Sequence, residues 1–565
     1  MMKWWQKAVF YQIYPRSFSD GNGDGIGDFQ GMISKLDYLD DLGVDAIWLS
    51  PHYPSPLRDC GYDISDYCSV APEYGTLDDF YEFLDGLHKR GMYLILDLVL
   101  NHTSDQHPWF IESRSSRDNP KRDWYIWHAG ENGMPPNNWF STFGGSAWEF
   151  DPQTKVYYYH FFFKEQPDLN WWNSQVREAI WDVARFWLDL GVDGFRLDAV
   201  GTIYEDSLLS DQHAGINLDD LYVLERNSKI PQEHTRVVEL WEEIFKYQHD
   251  QPGMHELMRE LREVINEYPD RVLVGETDDL SYYGNGSDEL HMVFNFPLMR
   301  TRRLSADWVR TNQSERLERI PKGGWACNTL GNHDSARMMS EYGDGIHDEC
   351  IVRVNLAILL TLKGTPFLFN GEEIGMTNAV LTNPDEFRDP LSLRTYEMEM
   401  RLFNCPGDEA ASCASGNGRD KTRSPMQWKN APNGGFCPQG IKPWLPVNQD
   451  YQQGVNVETQ LANDSSLWHY YKNLLSIRRE NPALVEGEYQ PMMEDDQDIL
   501  VFRRISTVQN CLVICNTCSE NRIIKIPHFK HPPRIVYSSL GREGTIGGDL
   551  RLKPFEVLIM EEVNI

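Results

Sequence analysis

The sequence has no long apolar run. No stretch approaches the ~18 residues that a membrane span needs. The strongest, Leu356 to Phe369, is shorter and is interrupted by Lys363. The opening segment, MMKWWQKAVFYQIYPRSF, has neither the apolar core nor the small-residue cleavage site of an export signal. Positive charge is scarce: 53 Lys and Arg stand against 85 Asp and Glu, a formal charge of −32. A surface that negative repels phosphate backbones and anionic lipid. Nucleic-acid and membrane partners are therefore not expected, and small neutral or cationic ligands stay open. Cysteine is sparse, ten in 565 residues without small-scaffold spacing. Cys511, Cys515 and Cys518 cluster, but no His or fourth Cys nearby completes a zinc pattern. These absences predict a protein of a bacterial-type cytoplasm with reduced thiols. Oligomeric state is not legible.

What the chain does have is a repeated alternation. Eight short apolar runs recur: Ala8 to Pro15, Ala46 to Pro51, Leu94 to Leu100, Gly194 to Val200, Val272 to Thr277, Val293 to Leu298, Ala326 to Asp334 and Thr365 to Glu373. Between them lie helical patterns. Phe80, Phe83, Leu84 and Leu87 share one face of Leu77 to Gly91, and Ile180, Val183, Ala184, Trp187 and Leu188 share one face of Val176 to Gly191. Strands alternating with helices imply a parallel sheet, and eight such units imply a closed (β/α)8 barrel, an α/β fold. The barrel is assigned to residues 1–100 and 174–488. Residues 101–173, rich in Trp, Pro, Asn and Gly, read as a subdomain inserted after the third strand, and 377–458 as a loop-rich insertion after the eighth. From residue 489 the pattern turns to β type, which predicts a C-terminal antiparallel domain over 489–565.

The chemistry-bearing motifs fall at the ends of the expected strands, where a barrel gathers its catalytic groups. The fourth ends in Arg196-Leu-Asp198, the fifth in Gly-Glu276-Thr, the seventh in Asn332-His333-Asp334; the third carries Asp97 and then Asn101-His102. Glycosidic cleavage needs two carboxyls, one to attack the anomeric carbon and one to protonate the leaving oxygen. A separation of ~5–5.5 Å gives retention. Arg196 and Asp198 share a strand face, so the guanidinium is expected to keep Asp198 ionised. Glu276 must hold a proton near neutrality, so its site should raise its pKa. A further motif, Asp20-Gly-Asn22-Gly-Asp24-Gly-Ile26-Gly-Asp28, offers oxygen ligands at alternate positions, with the Ile26 carbonyl among them. It resembles a calcium loop without the flanking helix or twelfth-position Glu of an EF-hand.

These motifs, in this order, resemble the α-amylase superfamily of glycoside hydrolases over essentially the whole chain. Asp97-Leu-Val-Leu-Asn101-His102, Gly-Phe-Arg196-Leu-Asp198-Ala-Val, Gly-Glu276-Thr and Asn-His333-Asp334 look like its four signatures. Gln166-Pro-Asp-Leu-Asn170 resembles a segment of the oligo-1,6-glucosidase branch. The resemblance implies Asp198 as nucleophile, Glu276 as acid/base and Asp334 as transition-state stabiliser. It gives Tyr62 as a platform under the sugar, and His102 and His333 as hydroxyl ligands. It also implies Asp63 and Arg423 as a clamp on a terminal glucose, with Arg419 competing for the arginine's place. Such a clamp closes the pocket behind one sugar and enforces exo action on small oligosaccharides. Related α-glucosidases hold Ca2+ or Mg2+ at the loop matching Asp20 to Asp28, in a structural role.

The resulting expectation is a retaining, exo-acting α-glucosidase on short or sucrose-type α-glucosides. The alternative is a transglucosylase with the same carboxyls. A non-catalytic transporter heavy chain would need an anchor and tolerate lost catalytic groups. Ala199, after the nucleophile, is smaller than the Val typical of relatives that prefer α-1,6 bonds, so it leans the expected preference toward α-1,4. The Gln166 to Asn170 segment leans the other way.

Overall fold

The structure, a computed structural model, describes residues 2–229, 231–526 and 532–562. Eight parallel strands run in sequential order around a barrel: β1 (Phe10–Ile13), β2 (Ala46–Leu49), β3 (Tyr93–Val99), β4 (Gly194–Asp198), β5 (Val272–Gly275), β6 (Met292–Val293), β7 (Cys327–Thr329) and β8 (Thr365–Phe369). β8 pairs with β1, and the ladder runs unbroken from β7 through β8 and β1 to β6. The β6–β7 seam is closed by side chains: Cys327 Sγ donates to the Val293 carbonyl at 3.3 Å, and Asn295 Nδ2 to Asn328 Oδ1 at 2.9 Å.

The two helices read from periodicity form as expected. Leu77–Lys89 starts on a Thr76–Asp79 capping box and buries Phe80, Phe83, Leu84 and Leu87. Ser174–Asp189 is capped by Asn173 and buries Ile180, Val183, Ala184, Trp187 and Leu188. Each of the buried Phe, Leu, Ile and Val side chains among these contributes about 1.5–3 kcal/mol on leaving water. Gly191, at φ 106°, makes the left-handed exit that returns the chain toward β4.

Three elements depart from the sequence reading. β6 is cut to two residues, because Phe296–Met299, with Pro297 in its first turn, coils into a helix. Within the loop-rich segment 377–458 stand the paired helices Pro390–Leu402 and Gly407–Asn417, which the sequence reading did not single out. Their sequences, PLSLRTYEMEMRL and GDEAASCASGN, lack a wide apolar stripe. Two further helices, Leu218–Asn227 and Pro231–Phe245, rise between β4 and β5. The inserted region after β3 holds a three-stranded antiparallel sheet, Trp127–His128, Trp148–Asp151 and Val156–Tyr159. After Glu488 the chain forms a five-stranded antiparallel sheet with a separate two-stranded ribbon. There Cys511 and Cys515 are buried, and no metal-binding cluster exists among the described residues.

The barrel interior is layered. Phe10, Ala46, Ile95, Val272 and Phe367 pack an apolar floor toward the N-terminal ends of the strands. Two residues further along, with the period-2 alternation of a strand, the inward positions become Gln12, Trp48, Asp97 and Arg196. Register pairs Asp97 with Arg196 and Val99 with Asp198 across β3 and β4, so the charged layer sits directly on the apolar one.

Candidate active site

Asp198 is the last residue of β4, and Glu276 follows the last residue of β5. Arg196 holds both. Its Nη1 donates to Asp198 Oδ1 at 2.6 Å and also to Asp97 Oδ1, while Nη2 lies 2.7 Å from Glu276 Oε1. Trp48 Nε1 steadies Asp97 at 2.9 Å. The backbone N–H of Ala199 donates to Glu276 Oε2 at 2.8 Å. Ala199 adopts φ 43°, ψ 51°, a left-handed conformation that side chains other than Gly seldom take. That turn aims its N–H at the acid on the neighbouring strand.

Three carboxyls around one guanidinium cannot all stay charged in a buried site. Burial pushes Glu276 up to about 8. Arg196 and the Ala199 N–H oppose the rise, and the charges of Asp198 and Asp334 reinforce it. Burial also lifts Asp198, to about 6 against the pull of Arg196, and Asp97 to about 6. Asp198 is thus still mainly ionised at pH 7 while Glu276 is protonated. For Asp334 burial alone would raise the pKa, but neighbouring cations outweigh it and hold the carboxyl well below its usual range. His333 is neutral above about pH 3, because burial lowers its pKa. The arginines therefore supply that charge near neutrality: Arg423 Nη2 lies 2.5 Å from Asp334 Oδ1, and Arg419 Nη1 lies 3.9 Å away.

The histidines lie beneath this layer. Gln12 donates to His333 Nδ1 at 2.7 Å, which leaves the ring proton on Nε2, 2.6 Å from the Tyr62 hydroxyl. The Tyr62 and His333 rings are stacked at 5.6 Å. His102 Nδ1 faces Asn101 Oδ1 at 2.9 Å, and its Nε2 accepts from Gln166 Nε2 at 2.8 Å. Both histidine rings are buried with both nitrogens engaged, so a sugar hydroxyl reaches them only by replacing a present partner.

Asp63 is held within its own loop. Its carboxylate accepts from Ser55 Oγ at 2.8 Å and from the N–H groups of Arg58 and Asp59 at 2.9 and 3.0 Å, closing the loop it sits on. Asp59 stands four residues earlier. It meets Arg419 Nη2 at 2.7 Å and accepts from Gln166 Nε2 at 3.1 Å. Arg419 also grips Asp389, at 2.7 and 3.1 Å, and lies 5.8 Å from the Phe143 ring. Arg423 is fully buried. It donates to the His333 carbonyl at 3.0 Å as well as to Asp334, and so ties that loop in place. Asp59, Arg419, Asp389 and Gln166 form one network. The sequence offered a signal for the first two: Asp59 shares the Arg-Asp-Cys-Gly-Tyr-Asp segment with Asp63, and Arg419 was the competing arginine.

Above Glu276 and Ala199 opens a cavity of about 1030 Å3. Phe161 and Phe162 of the inserted region line one side, and Val238 and Trp241 of the helix Pro231–Phe245 another. Trp241 is 39% exposed and lines this cavity with its aromatic ring. Sequence reading missed this wall because its helix lies in an insertion that carries no motif.

The loop Asp20 to Asp28 stands apart from the carboxyls. Asp20 accepts from the N–H groups of Gly23 and Gly25 at 2.5 and 2.8 Å, Asn22 from Asp24 at 2.9 Å, and Asp24 from Ile26 at 2.9 Å. Asp28 accepts from Gly21, Asn22 and Gly31 at 2.6–3.0 Å. Gly23 and Gly25, at φ 83° and 93°, make the tight coil possible.

Eight parallel strands, carboxyls at the ends of β4 and β5 and Asp334 after β7, one arginine between the first two: this arrangement coincides with a match of residues 12–487 to the α-amylase catalytic domain model. The chain belongs to the α-amylase family. Among its relatives in that family is an oligo-1,6-glucosidase of Parageobacillus thermoglucosidasius, 40% identical, with 98% of each chain covered. An α-glucosidase of Schizosaccharomyces pombe is 38% identical, with 91% of this chain and 90% of the relative covered. Among solved structures, a trehalulose synthase of Pseudomonas mesoacidophila matches at a TM-score of 0.88 and 37% identity. That match covers 99% of this chain and all of the other. An α-amylase-family chain with these groups present is a glycoside hydrolase, and no described helix is long and apolar enough to cross a membrane.

Proposed function

We propose that the chain is a retaining, exo-acting α-glucosidase that removes terminal glucose from short α-glucosides. The observation that carries this reading is the pair Asp198 and Glu276, clasped on one guanidinium and driven to opposite protonation states. Asp198, ionised, attacks the anomeric carbon. Glu276, protonated, gives its proton to the leaving oxygen and then takes one from the incoming water. A clasped pair belongs with retaining enzymes, whose carboxyls stand ~5–5.5 Å apart, and not with the inverting spacing of ~6.5–9.5 Å that holds a water between them. Asp334, kept anionic by Arg423 and Arg419, faces the positive charge that develops on the sugar. Asp59 and Arg419 close the far end of the pocket, which limits it to one terminal glucose. Trp241 and the two phenylalanines border the leaving group.

The name of the Parageobacillus relative favours α-1,6 bonds, as does the Gln166 to Asn170 segment; Ala199 favours α-1,4. The likeness to a trehalulose synthase supports a second reading in which another sugar competes with water for the glycosyl-enzyme. The test is product analysis with p-nitrophenyl α-glucoside, maltose, isomaltose, sucrose and trehalose. Glucose released first as the α-anomer supports retention and hydrolysis. Isomerised disaccharide as the main product from sucrose would replace hydrolysis with transfer.

We also propose a structural Ca2+ at Asp20 to Asp28, with Mg2+ the competing ion. Every donor there is oxygen, as hard cations require, and the amide bonds turn Asp20, Asn22, Asp24 and Asp28 around one coil. Carboxylate oxygens with one accepted bond retain lone pairs for an ion. Among the described residues no three acidic, His or Cys side chains meet at metal-binding spacing, so the ion would depend on Asn22 and the Ile26 carbonyl too. Residence in the cytoplasm is proposed on the ten unpaired cysteines.

A further inference from the structure

One polar side chain in the cavity beside Glu276 takes no part in the double displacement. His249 lines that cavity together with Ala199, Gly201 and Glu276. Its ring lies edge-on against the turn that follows the nucleophile: a Cβ placed on Gly201 would stand 2.4 Å from His249 Cε1 and 2.9 Å from Nε2. Gly201 is two residues beyond Ala199, at most ~7 Å along the chain, and the Ala199 N–H reaches Glu276 Oε2 at 2.8 Å. The imidazole edge therefore borders the space that the leaving group occupies when Glu276 protonates it.

The ring is aimed from behind. Nδ1 lies 2.6 Å from Asp250 Oδ2, and the Tyr282 hydroxyl donates to Asp250 Oδ1 at 2.7 Å. The Asp250 N–H donates to the Gly201 carbonyl at 2.7 Å. Asp250 adopts φ 50°, a left-handed conformation uncommon for a residue other than Gly, and such conformations gather where side chains are held for function. Burial works against the Asp250 charge, but the bonds from His249 and Tyr282 and the nearness of His255 outweigh it and hold the carboxyl below its usual range. Nε2 is the free end. It makes no hydrogen bond among the described residues and is not sealed from solvent; the side chain is 36% exposed. With Nδ1 turned to Asp250, Nε2 accepts a hydrogen bond in the neutral ring and donates one in the charged ring. A sugar hydroxyl answers either.

Building on the glucosidase reading, we propose that His249 is a specificity-determining residue for the leaving sugar, bonding one of its hydroxyls through Nε2, with Asp250 as the residue that positions it. The test compares a disaccharide, maltose or isomaltose, whichever the parent cleaves faster, with p-nitrophenyl α-glucoside, whose leaving group carries no sugar hydroxyl. His249→Asn keeps a polar atom near the place of Nδ1 but ends short of Nε2. His249→Gln reaches the place of Nε2. The quantity read is the ratio of kcat/KM for the disaccharide to kcat/KM for the aryl glucoside, which cancels any loss of folded enzyme. His249→Asn should lower that ratio roughly three- to tenfold, the worth of one hydrogen bond, and His249→Gln should recover most of it. The role of His249 is overturned if His249→Asn slows both substrates equally or neither, or if His249→Gln falls as far as His249→Asn. A parent that cleaves none of these substrates removes the glucosidase reading itself, and the role of His249 falls with it.

Discussion

Two acids of one six-residue segment, Asp59 and Asp63, are held by different partners, and exchanging each for its amide separates their contributions. Asp59→Asn removes the charge that meets Arg419 at 2.7 Å and that closes the proposed glucose pocket. Hydrogen bonds to charged groups are worth about 1.5–3 kcal/mol. At about 1.4 kcal/mol per decade, loss of one such contact in the transition state lowers kcat/KM about 10- to 150-fold. Arg419 keeps Asp389, so the fold should hold. Asp63→Asn acts elsewhere. Its carboxylate receives three donors from its own loop, and an amide can accept from only one oxygen. At least one buried donor is then unanswered, at about 1–3 kcal/mol. That appears as a melting temperature lower by a few degrees, about 2–4 °C per kcal/mol in a domain of 150–250 residues, with kcat/KM within about threefold of the parent. Steady-state kinetics on p-nitrophenyl α-glucoside and thermal unfolding on both variants decide it. If Asp63→Asn loses a hundredfold in kcat/KM while Asp59→Asn keeps its activity, the clamp assignment is refuted.

Other outcomes follow from the same geometry. The pH profile of kcat/KM should be a bell, because Asp198 must be ionised and Glu276 protonated. Activity falls as pH drops through about 6 and as it rises through about 8; a profile still climbing at pH 9 contradicts the acid's role. Ala199→Val should shift the maltose-to-isomaltose ratio of kcat/KM toward isomaltose, by an amount within ~1–3 kcal/mol. It should also lower the melting temperature, because a β-branched residue is strained at φ 43°; an unmoved ratio sinks the reading of that position. Chelation, or Asp24→Ala, should lower the melting temperature more than kcat at mild temperature. A Tm indifferent to both Ca2+ and chelator removes the ion.

The barrel was legible because each strand is a short apolar run and each helix between shows its stripe. The three carboxyls of the candidate site were legible because they stand at fixed points of those runs. Asp59 was not, because choosing between two acids four residues apart depends on which one the loop consumes for its own amides. The same holds for Arg419 against Arg423, whose distinction lies in burial under Tyr14 and beside His333. Trp241 escaped notice because it sits on an inserted helix, where an exposed aromatic looks the same in sequence as a buried one. The rise of Glu276 was anticipated from its task. That of Asp198 was not: Arg196 was expected to dominate, but burial outweighs it.

The central claim is that Asp198 forms a covalent bond to glucose with Glu276 as its acid. Its most direct test is to slow the second step and weigh the protein. Incubated with an activated 5-fluoro-α-glucosyl fluoride, the full chain should gain one fluoroglucosyl unit, and peptide sequencing should place it on Asp198. Asp198→Asn should gain none. No adduct on a folded chain that still turns over substrate, or an adduct on any other residue, would contradict the account.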